Sequence, residues 1–339
     1  MGNSQFKPEE VKSIYFPEFE TKLPDLEGKV VAITGCTSGT GFILARTCAK
    51  KGASNILMLN RSSERAQQAE EKVKGFVEDG SKTKVETVAC DLQDFASVNE
   101  AINTIKSKYE AIDVLCNNAG VMAIADVATK DGYDIQMQTN HLSHFLLTKE
   151  LFPLLKRARE LRGEARIVNH SSLSRSGGPL KSEYFGKNGG DLGGNGNSMF
   201  FGGGKWERYH QTKLANSVFT VALKEKLDVA TELKGIKSVV AAPGLSATNL
   251  QVNTNQTGGM NGSMWMMKLA QSAEDGSMPL LSACFDPSTE NGDFWEPANR
   301  GGSSGPASKV PHDKHTKDPE MAKLLWEKSE EALGKFEVN

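Results

Sequence analysis

Residues 29–41 read KVVAITGCTSGTG, a short β-rich run followed at once by three glycines in GxxxGxG spacing. A helical pattern comes next, over residues 42–51. A strand, a glycine-rich turn and a helix in this order set backbone N–H groups and a helix N-terminus against a phosphate. Gly35 permits the tight turn, and Gly39 and Gly41 permit close approach of ligand and strand. Any strand–helix turn can use glycines, so the meaning of this stretch depends on the rest of the chain.

Strand-like and helix-like segments alternate from residue 29 to about residue 242. The apolar runs predict strands at 29–34, 55–59, 84–90, 113–116, 166–172 and 237–242. Helical patterns cover 42–51, 62–79, 96–109 and about 132–159, and a further helix carries Tyr209 and Lys213 to about residue 227. Strands too apolar to face water, joined by helices, indicate an α/β fold with a doubly wound parallel sheet and helices on both faces.

The remaining segments predict additions to one domain. Residues 1–27 look like an extended arm that leads into a single catalytic domain over residues 28–339, because the polar strand ends collect at one edge of one sheet. Residues 176–205 hold eleven glycines in thirty positions, which indicates an insertion or a mobile loop beside that edge. Residues 251–310 look irregular, and 319–336 predict a closing amphipathic helix, so 251–339 form a C-terminal extension on the substrate side.

Composition argues against several classes of function. A net charge of -2 over 339 residues gives no reason to expect nucleic acid or an anionic membrane as partner. No apolar run approaches the ~18 residues that span a bilayer, and the N-terminus lacks a signal-peptide pattern. Residues 1–6 resemble an acylation site but carry Phe6 in place of Ser or Thr. Five scattered cysteines without a CxxC pair predict free thiols, so we expect a soluble cytoplasmic protein, without excluding an organelle.

Polar residues at the ends of the predicted strands indicate a nucleotide site. Arg61, rather than an acidic residue, ends the second strand, and its forked guanidinium suits a 2′-phosphate, which predicts NADP(H) over NAD. Asp91 either accepts from an adenine amino group or caps the next helix. The NNAG run at 117–120 could stabilise the sheet, line the cofactor, or do both. The PG turn at 243–248 could reach the nicotinamide end.

Tyr209 and Lys213 stand at i and i+4, so they share one face of a helix, and Ser172 ends the fifth predicted strand. A phenol has a pKa of about 10, and a fixed ammonium beside it favours the phenolate and lowers that pKa. Tyr209 could then act as a general acid/base while Ser172 holds the same substrate oxygen. Tyr and Lys also occur at this spacing by chance, so the motif depends on its context.

The predicted helix after residue 132 contains Asn140, His141 and His144. A buried Asn in mid-helix is costly unless its amide is satisfied. The two histidines at i and i+3 could suggest a metal. No carboxylate or cysteine stands at ligand spacing, so core or surface histidines, and no metal, are the expectation.

With these motifs in order, the sequence resembles the short-chain dehydrogenase/reductase family over about residues 28–250. The matches are TGxxxGxG at 34–41, Asp91-Leu92, NNAG at 117–120, Asn140, Ser172, YxxxK at 209–213 and PGxxxT at 243–248. Each motif is weak alone, whereas the ordered set is specific. The run NHLSHFLLT at 140–148 further resembles the branch of retinol dehydrogenases and WW-domain oxidoreductases, which also resembles light-dependent protochlorophyllide reductase.

The resemblance implies a Rossmann-type fold, NADP(H) as cofactor and hydride transfer between nicotinamide and a carbonyl or alcohol. In this family the counterpart of Tyr209 exchanges the proton, Lys213 lowers its pKa and bonds the nicotinamide ribose, and Ser172 orients the carbonyl. Asn140 would support a proton relay through water to Lys213, and Ser171 is the rival for the serine role. The implied cofactor-binding residues are Gly35, Thr37, Ser38, Gly39, Thr40, Gly41, Arg61, Asp91, Leu92, Asn118, Ala119, Gly120, Tyr209, Lys213, Pro243, Gly244, Leu245 and Thr248.

Three features depart from the family pattern. Thr40 replaces the usual aliphatic residue, and the insertion lengthens the interval from Ser172 to Tyr209. Leu245 stands where protochlorophyllide reductase has a cysteine, which counts against a light-driven enzyme.

The sequence therefore predicts an NADP(H)-dependent oxidoreductase acting on a small, fairly apolar carbonyl or alcohol. The apolarity rests on the branch and on the MWMM run at 264–267, which suits an adaptable pocket wall or a core helix equally well. The alternatives are a catalytically idle NADP-binding sensor or scaffold, and a light-dependent tetrapyrrole reductase. The family also implies a homodimer through the helices carrying Asn140 and Tyr209, unless the insertion or the C-terminal region blocks it.

Overall fold

The computed structural model describes residues 6–196, 202–260 and 264–339. Within these residues the strands are β1 (Val30–Thr34), β2 (Asn55–Asn60), β3 (Lys84–Ala89), β4 (Val114–Asn117), β5 (Ala165–His170), β6 (Ile236–Ala241), β7 (Phe294–Asn299) and β8 (Ser304–Lys309). They form one sheet in the order β3-β2-β1-β4-β5-β6-β7-β8. Strands β1 to β7 pair in parallel, and only β8 among them runs antiparallel, against β7.

The helices of the described segments flank the strands along the chain. They are α1 (Phe16–Lys22), α2 (Gly39–Lys50), α3 (Glu64–Lys74), α4 (Phe95–Lys108), the single turn α5 (Ile135–Met137), α6 (Ser143–Arg162), α7 (Gly204–Val229), α8 (Asn249–Gln256), α9 (Ala273–Phe285) and α10 (Pro319–Leu333). A π-helical turn, Gln138–Leu142, joins α5 to α6. None of the described helices combines the length and the apolarity that a membrane span requires.

Alternate residues of each central strand point into two different cores. Ala32 and Leu57 pack with the side chains of α4, α6, α7 and α10. Ile33 and Met58, their neighbours in sequence, pack with α2, α3 and α9 on the other face. Successive side chains of a strand point to opposite faces of the sheet, and here the side chains on both faces are apolar. This is the pattern of a parallel sheet covered by helices on both faces. This confirms the α/β class and the doubly wound parallel sheet with helices on both faces.

The segment 251–310, predicted as irregular, is where the sequence was least informative. It contains α8, α9, β7 and β8, and β7 extends the parallel sheet beside β6. Pro279 lies inside α9, Pro297 lies in β7, and Gly305 and Pro306 lie in β8. These residues suppress helix and strand propensity, so the tertiary contacts of α9 with the sheet decide the structure here. The prediction of an irregular segment was wrong.

The N-terminal arm is not wholly extended, because residues 16–22 form α1. Asp275, which is 1% exposed near the start of α9, holds the entry to this helix. Its carboxylate accepts from Ser13 Oγ and from the backbone N–H groups of Ile14, Tyr15 and Phe16, each at 2.9 Å. One buried carboxylate therefore satisfies donors that precede and begin α1. Residues 1–5, where acylation was considered, lie outside the described residues.

The described part of the glycine-rich insertion is anchored rather than detached. Leu180, Tyr184 and Phe185 are buried in the core that contains α6, α7 and α10. The buried Asp126 carboxylate accepts from the N–H groups of Gly190, at 2.9 Å, and Gly193, at 2.6 Å. Of the predicted insertion or mobile loop, residues 197–201 lie outside the described residues.

The C-terminal helix α10 lies against α7 and the π-helical turn. Trp326 packs edge-on to Phe145 of α6, with ring centroids 5.6 Å apart, and Phe336 stacks on Trp326 at 5.5 Å. The ring of Phe336 also contacts Phe152. Ser329 hydroxyl and His141 Nε2 lie 2.9 Å apart in the same interface. The predicted closing helix is confirmed, and it covers the helices that carry Asn140 and Tyr209.

Candidate active site

A cavity of about 400 Å³ opens at the carboxyl edge of the sheet. The ends of six parallel strands contribute to its wall, because carboxyl ends of parallel strands meet at one edge. The sequence-predicted residues that line it are Gly35, Thr37, Ser38, Gly39, Thr40, Arg61, Asp91, Leu92, Asn118, Ala119, Gly120, Ser172, Tyr209, Lys213, Pro243, Gly244 and Thr248. Residues that were predicted for two separate roles, cofactor binding and proton transfer, therefore share one space.

Three predicted site residues do not line the cavity. Gly41 packs beneath the turn, Asn140 is fully buried, and Leu245 packs with the cluster around Tyr209. Sequence reasoning missed lining residues including Arg65, Val121, Met122, Ile124, His170, Leu250, Asn253 and Thr254. Two signals were available: Arg65 lies four residues after Arg61, and His170 precedes Ser172 by two on the same strand.

The glycine turn has no room for side chains. Gly35 has φ +74°, and a Cβ there would lie 2.9 Å from Ala119 Cα. A Cβ on Gly41 would lie 2.4 Å from both Asn118 Nδ2 and the Gly35 carbonyl oxygen. No side chain caps the first turn of α2, since the Ser38 hydroxyl instead accepts from Arg65 Nη2 at 2.7 Å. Close backbone packing and free N–H groups at this helix start fit the diphosphate of a dinucleotide.

Two arginines flank the end of β2. Arg61 and Arg65 are exposed, and both line the cavity. Asn60 Oδ1 accepts from the Cys36 N–H at 2.8 Å and so supports the glycine turn. The helix after β3 is capped by Asp94, which accepts from the Ala96 N–H. The capping alternative for Asp91 was therefore wrong, and Asp91 faces the cavity.

Asn118 ties the glycine turn to the neighbouring strand ends. Its Nδ2 donates to the carbonyl oxygens of Thr34, at 2.8 Å, and Gly35, at 3.3 Å. Its Oδ1 accepts from Thr40 Oγ1 at 2.8 Å and lies 2.9 Å from His170 Nδ1. Thr40, the departure from the family's aliphatic residue, is thus a hydrogen-bond donor in this network. The amide at this position both stabilises the sheet and lines the cavity.

Tyr209, Ser172 and Lys213 meet at the end of β5. Tyr209 is 3% exposed, and Lys213 Nζ lies 5.7 Å from its ring centroid. Lys213 Nζ donates to the His170 carbonyl oxygen at 3.0 Å. Burial raises the pKa of Tyr209 above its ordinary value, and a hydrogen-bond interaction with Ser172 opposes that rise. The net direction is opposite to the lowering predicted from the Tyr–Lys spacing, because desolvation of the phenolate outweighs the other contributions.

Burial also lowers the pKa of Lys213 from 10.5 to about 8, so near neutral pH a fraction of the side chain is uncharged. Most of the side chain is still an ammonium at that pH, but desolvation of the phenolate keeps the pKa of Tyr209 above its ordinary value. The protein without ligand therefore holds Tyr209 as a neutral phenol, which is a proton donor.

The two candidate serines point in different directions. Ser171 is 1% exposed, and its Oγ donates to the Lys213 carbonyl oxygen at 2.8 Å, within β5–α7 packing. Its hydroxyl also accepts from Ser217 Oγ at 2.8 Å. Ser172 lies beside the Tyr209 phenol and caps the short helical turn after β5.

Asn140 sits in the π-helical turn with its side chain fully used. Its Nδ2 donates to the Val121 carbonyl oxygen and to Thr212 Oγ1, each at 2.9 Å, and its Oδ1 accepts from the Val121 N–H at 2.8 Å. The predicted cost of a buried Asn is therefore offset by satisfied hydrogen bonds. Only its backbone carbonyl could take part in a relay. That carbonyl lies 3.0 Å from His144 Nδ1.

The tautomer of His144 can be inferred from its two neighbours, Thr34 and the Asn140 carbonyl. The Thr34 hydroxyl oxygen accepts from the N–H groups of Asn118 and Ala119 and lies 2.9 Å from His144 Nε2, while His144 Nδ1 faces the Asn140 carbonyl oxygen, which can only accept. His144 Nδ1 then carries the hydrogen and donates to Asn140. Burial lowers the pKa of His144 to about 4 and keeps it neutral. No group of three or more metal-ligating side chains occurs among the described residues.

The MWMM run does not form the cavity wall. Met267 is buried against the cluster that includes Met122 and Tyr209, whereas Trp265 is 60% exposed. Neither residue, nor Met266, lines the cavity, and the side chain of Met264 lies outside the described part of the chain. Apolar side chains in the wall come instead from Val121, Met122, Ile124 and Leu250.

Comparison with known proteins places the chain in a family. The family model for short chain dehydrogenase matches residues 29–185. An uncharacterised oxidoreductase of Schizosaccharomyces pombe is 37% identical over 230 residues, 67% of this chain and 63% of that protein. The chain thus spans less than two thirds of that relative. Short-chain dehydrogenase/reductase drtF of Aspergillus calidoustus is 30% identical over 95% of this chain and 99% of its own length. Human retinol dehydrogenase 13 is 28% identical over 91% of this chain and 86% of its own length.

Solved structures share the architecture. An uncharacterised protein from Mycobacterium paratuberculosis superposes with a TM-score of 0.71 at 28% identity, covering 94% of this chain and 98% of its own. A 3-ketoacyl-(acyl-carrier-protein) reductase from Brucella melitensis, solved with NADH, superposes with a TM-score of 0.55 at 21% identity. The match covers 80% of this chain and 96% of that one, and it bears on the fold alone. Since the Aspergillus relative matches over nearly the whole of both chains, this protein belongs to the short-chain dehydrogenase/reductase family, in its retinol dehydrogenase-like branch, and is an oxidoreductase acting on CH–OH or C=O groups.

Proposed function

We propose that the protein is an NADP(H)-dependent carbonyl reductase and alcohol dehydrogenase in which Tyr209 is the general acid/base. The observation that carries this proposal is the meeting of Tyr209, Ser172 and Lys213 in the same cavity as the glycine turn. A bound nicotinamide dinucleotide supplies or accepts the hydride. The chain's own role is then to bind the carbonyl oxygen and to deliver one proton to it.

Ser172 and Tyr209 would hold the carbonyl oxygen together. In the reductive direction the oxygen gains charge as hydride reaches the carbon, and the Tyr209 O–H is the proton source. The raised pKa of Tyr209 supports this direction, since the phenol carries its proton at neutral pH. Lys213 and the Asn140 carbonyl would return a proton through water. The inward hydrogen bond of Ser171 supports the choice of Ser172.

The preference for NADP(H) rests on charge at the end of β2. Arg61 and Arg65 line the cavity there, and no carboxylate ends this strand to accept from a ribose 2′-hydroxyl. Two guanidinium groups would bind a 2′-phosphate through charge-assisted hydrogen bonds. The substrate would be small and fairly apolar, because Val121, Met122 and Ile124 lie in the wall beside Tyr209.

The test is NADPH consumption by the full chain in the dark, against a panel of aldehydes, ketones and quinones. We expect Tyr209→Phe to lower kcat by about 10²-fold or more, since it removes the proton donor, while NADPH binding, measured by nicotinamide fluorescence, is retained. Tyr133→Phe is the matched control, because Tyr133 is buried in the main core away from the cavity. NADPH should bind more tightly than NADH.

Each other outcome has a defined meaning. Equal turnover by Tyr209→Phe and the wild type would remove Tyr209 from the mechanism. Tight NADPH binding without turnover, in dark or light, would favour the sensor. Turnover only under light would favour the tetrapyrrole reductase, and failure to bind NADPH would end all of these hypotheses.

A further inference from the structure

The His170 side chain lies in the cavity wall but takes no part in the proposed chemistry. His170 is the last residue of β5, two residues before Ser172, and its ring is partly exposed where the strand meets the cavity. Its backbone carbonyl already accepts from Lys213 Nζ and from Asn216 Nδ2, each at 3.0 Å. The Lys213 amine is therefore bound to the backbone of the residue whose imidazole lines the cavity, and the charge of Lys213 acts on that imidazole.

The hydrogen bonds of Asn118 determine the tautomer of this ring. Asn118 Nδ2 faces two carbonyl oxygens, those of Thr34 and Gly35, so this atom must be the nitrogen and Oδ1 must be the acceptor. Since Oδ1 can only accept, His170 Nδ1, at 2.9 Å, carries the hydrogen. The neutral ring then has a bare lone pair on Nε2.

His170 Nε2 has no hydrogen-bond partner among the residues that the structure describes, and it is not sealed in the protein interior. Three effects keep the His170 ring neutral. Burial among protein atoms has the largest effect, and Lys213 of α7 and His144 of α6 add to it, lowering the pKa of His170 to about 3. The cavity therefore presents a permanent acceptor beside the amine of Lys213, which is a donor.

We propose that His170 Nε2 accepts a hydrogen bond from the ligand that occupies this cavity, and that Lys213 and His170 together form a hydroxyl-binding pair. A hydroxyl group both accepts and donates, so it can accept from Lys213 and donate to His170. The hydroxyl can belong to a ribose of the dinucleotide or to the substrate. This inference rests on the proposed function in that it takes the dinucleotide as a ligand of the cavity.

Two substitutions separate the two nitrogens of the ring. His170→Asn keeps an amide donor near the Nδ1 position for Asn118 and removes the acceptor at the Nε2 position. His170→Gln does the reverse, because its longer side chain places an amide oxygen near Nε2. If the ribose is the donor, we expect the NADPH dissociation constant to rise about tenfold in His170→Asn, the loss of one hydrogen bond, and less in His170→Gln.

If the substrate is the donor, NADPH affinity stays at the wild-type value and KM rises by a similar factor in His170→Asn, with kcat unchanged. NMR of the histidine ring nitrogens gives an independent readout. The unprotonated Nε2 resonance should move on addition of NADP⁺ alone in the first case, and only in the ternary complex in the second.

The inference is overturned if both variants bind NADPH and substrate as the wild type does. It is also overturned if His170→Gln weakens binding as much as His170→Asn does, because keeping an acceptor near the Nε2 position would then make no difference. Failure of the proposed function looks different, since the wild type itself would then bind no NADPH or give no turnover with any substrate.

Discussion

Lys213 is a buried amine that the fold stabilises poorly. It is 4% exposed, and within the described residues its ammonium donates to the His170 carbonyl oxygen. Asn216 Nδ2 donates to the same oxygen. Its pKa of about 8, against an ordinary 10.5, corresponds to ~3 kcal/mol of unfavourable free energy in the folded state at neutral pH. The residue therefore lowers stability where it is proposed to serve the reaction, a trade-off common at functional sites.

We expect Lys213→Met to raise the free energy of unfolding at pH ~7 by on the order of 1–3 kcal/mol while abolishing turnover. Between pH ~8 and ~10.5 the unfolded chain binds more protons at this residue than the folded one, so wild-type stability gains with pH in that window. The excess stability of Lys213→Met over the wild type should therefore be smaller at pH ~9.5 than at pH ~7. Urea unfolding of both proteins at the two pH values measures this difference in free energy.

Lys224→Met supplies the control for that experiment, because Lys224 lies on the same helix with its side chain 37% exposed. It should change stability little and equally at both pH values. A Lys213→Met variant less stable than the wild type at pH ~7 would contradict the argument.

Single residues also mark the limits of sequence reasoning at this site. The spacing of Tyr209 and Lys213, and the position of Ser172 at a strand end, predict their meeting, which the structure shows. The direction of the Tyr209 pKa could not be predicted, because it depends on how much solvent the fold removes. His170 was overlooked since its importance arises from the orientation of Asn118, a contact across strands.

At the scale of elements, one carboxylate holds the part of the insertion around residues 190–193. Asp126 is 6% exposed and accepts from two backbone N–H groups of residues 190–193, while its own N–H donates to Asn195 Oδ1. Arg208 of α7 adds a bond to the Gly193 carbonyl and a buried ion pair with Asp134 at 2.6 Å. The insertion is thereby fixed to the helix that carries Tyr209.

We expect Asp126→Asn to release residues 189–195 locally, because the amide can replace only one of the two acceptor oxygens. The free energy of local opening should fall by about 1–3 kcal/mol, with a smaller change in global unfolding. Hydrogen exchange of this segment, or limited proteolysis, measures the effect. Asp191→Asn, at an exposed position in the same segment, is the control. Unchanged exchange in Asp126→Asn would show that the anchor lies elsewhere.

The alternation of strands and helices up to residue 242 could be predicted because each element is locally consistent, apolar where buried and punctuated by glycine or by capping residues. The elements after residue 251 could not. Residues such as Gly276 and Pro279 in α9 oppose the helix locally, and the burial of nearly every residue of α9 compensates. The observed α5 to α6 segment is likewise interrupted by a π-helical turn that no periodicity indicates.

At the scale of the whole molecule, α10 occupies the face through which family members would pair. Trp326 and Phe336 cover Phe145, Phe152 and Phe219, and Lys149 Nζ donates to the Leu333 carbonyl oxygen at 2.7 Å. A partner subunit would have to displace this aromatic cluster. The homodimer stays a prediction that rests on the family resemblance. The position of α10 argues against it.

We expect the full chain to be monomeric at micromolar concentration in light scattering. Removing residues 319–339 would expose the aromatic rings of α6 and α7 and promote self-association or aggregation. Trp265→Ser, which removes an exposed ring outside this face, should leave the mass unchanged. A full-chain dimer that cross-links through α6 and α7 would show that α10 does not block pairing.

The Asp275 carboxylate also bears on the order in which the N-terminal arm and α9 can pack during synthesis. The donors at residues 13–16 leave the ribosome first, yet their acceptor is separated from Ser13 by 262 positions. Through most of translation the first N–H groups of α1 lack their acceptor, even where the earlier strands have begun to pair. The N-terminal arm is thus synthesised first, but its hydrogen bonds to Asp275 can form only after α9 has been synthesised.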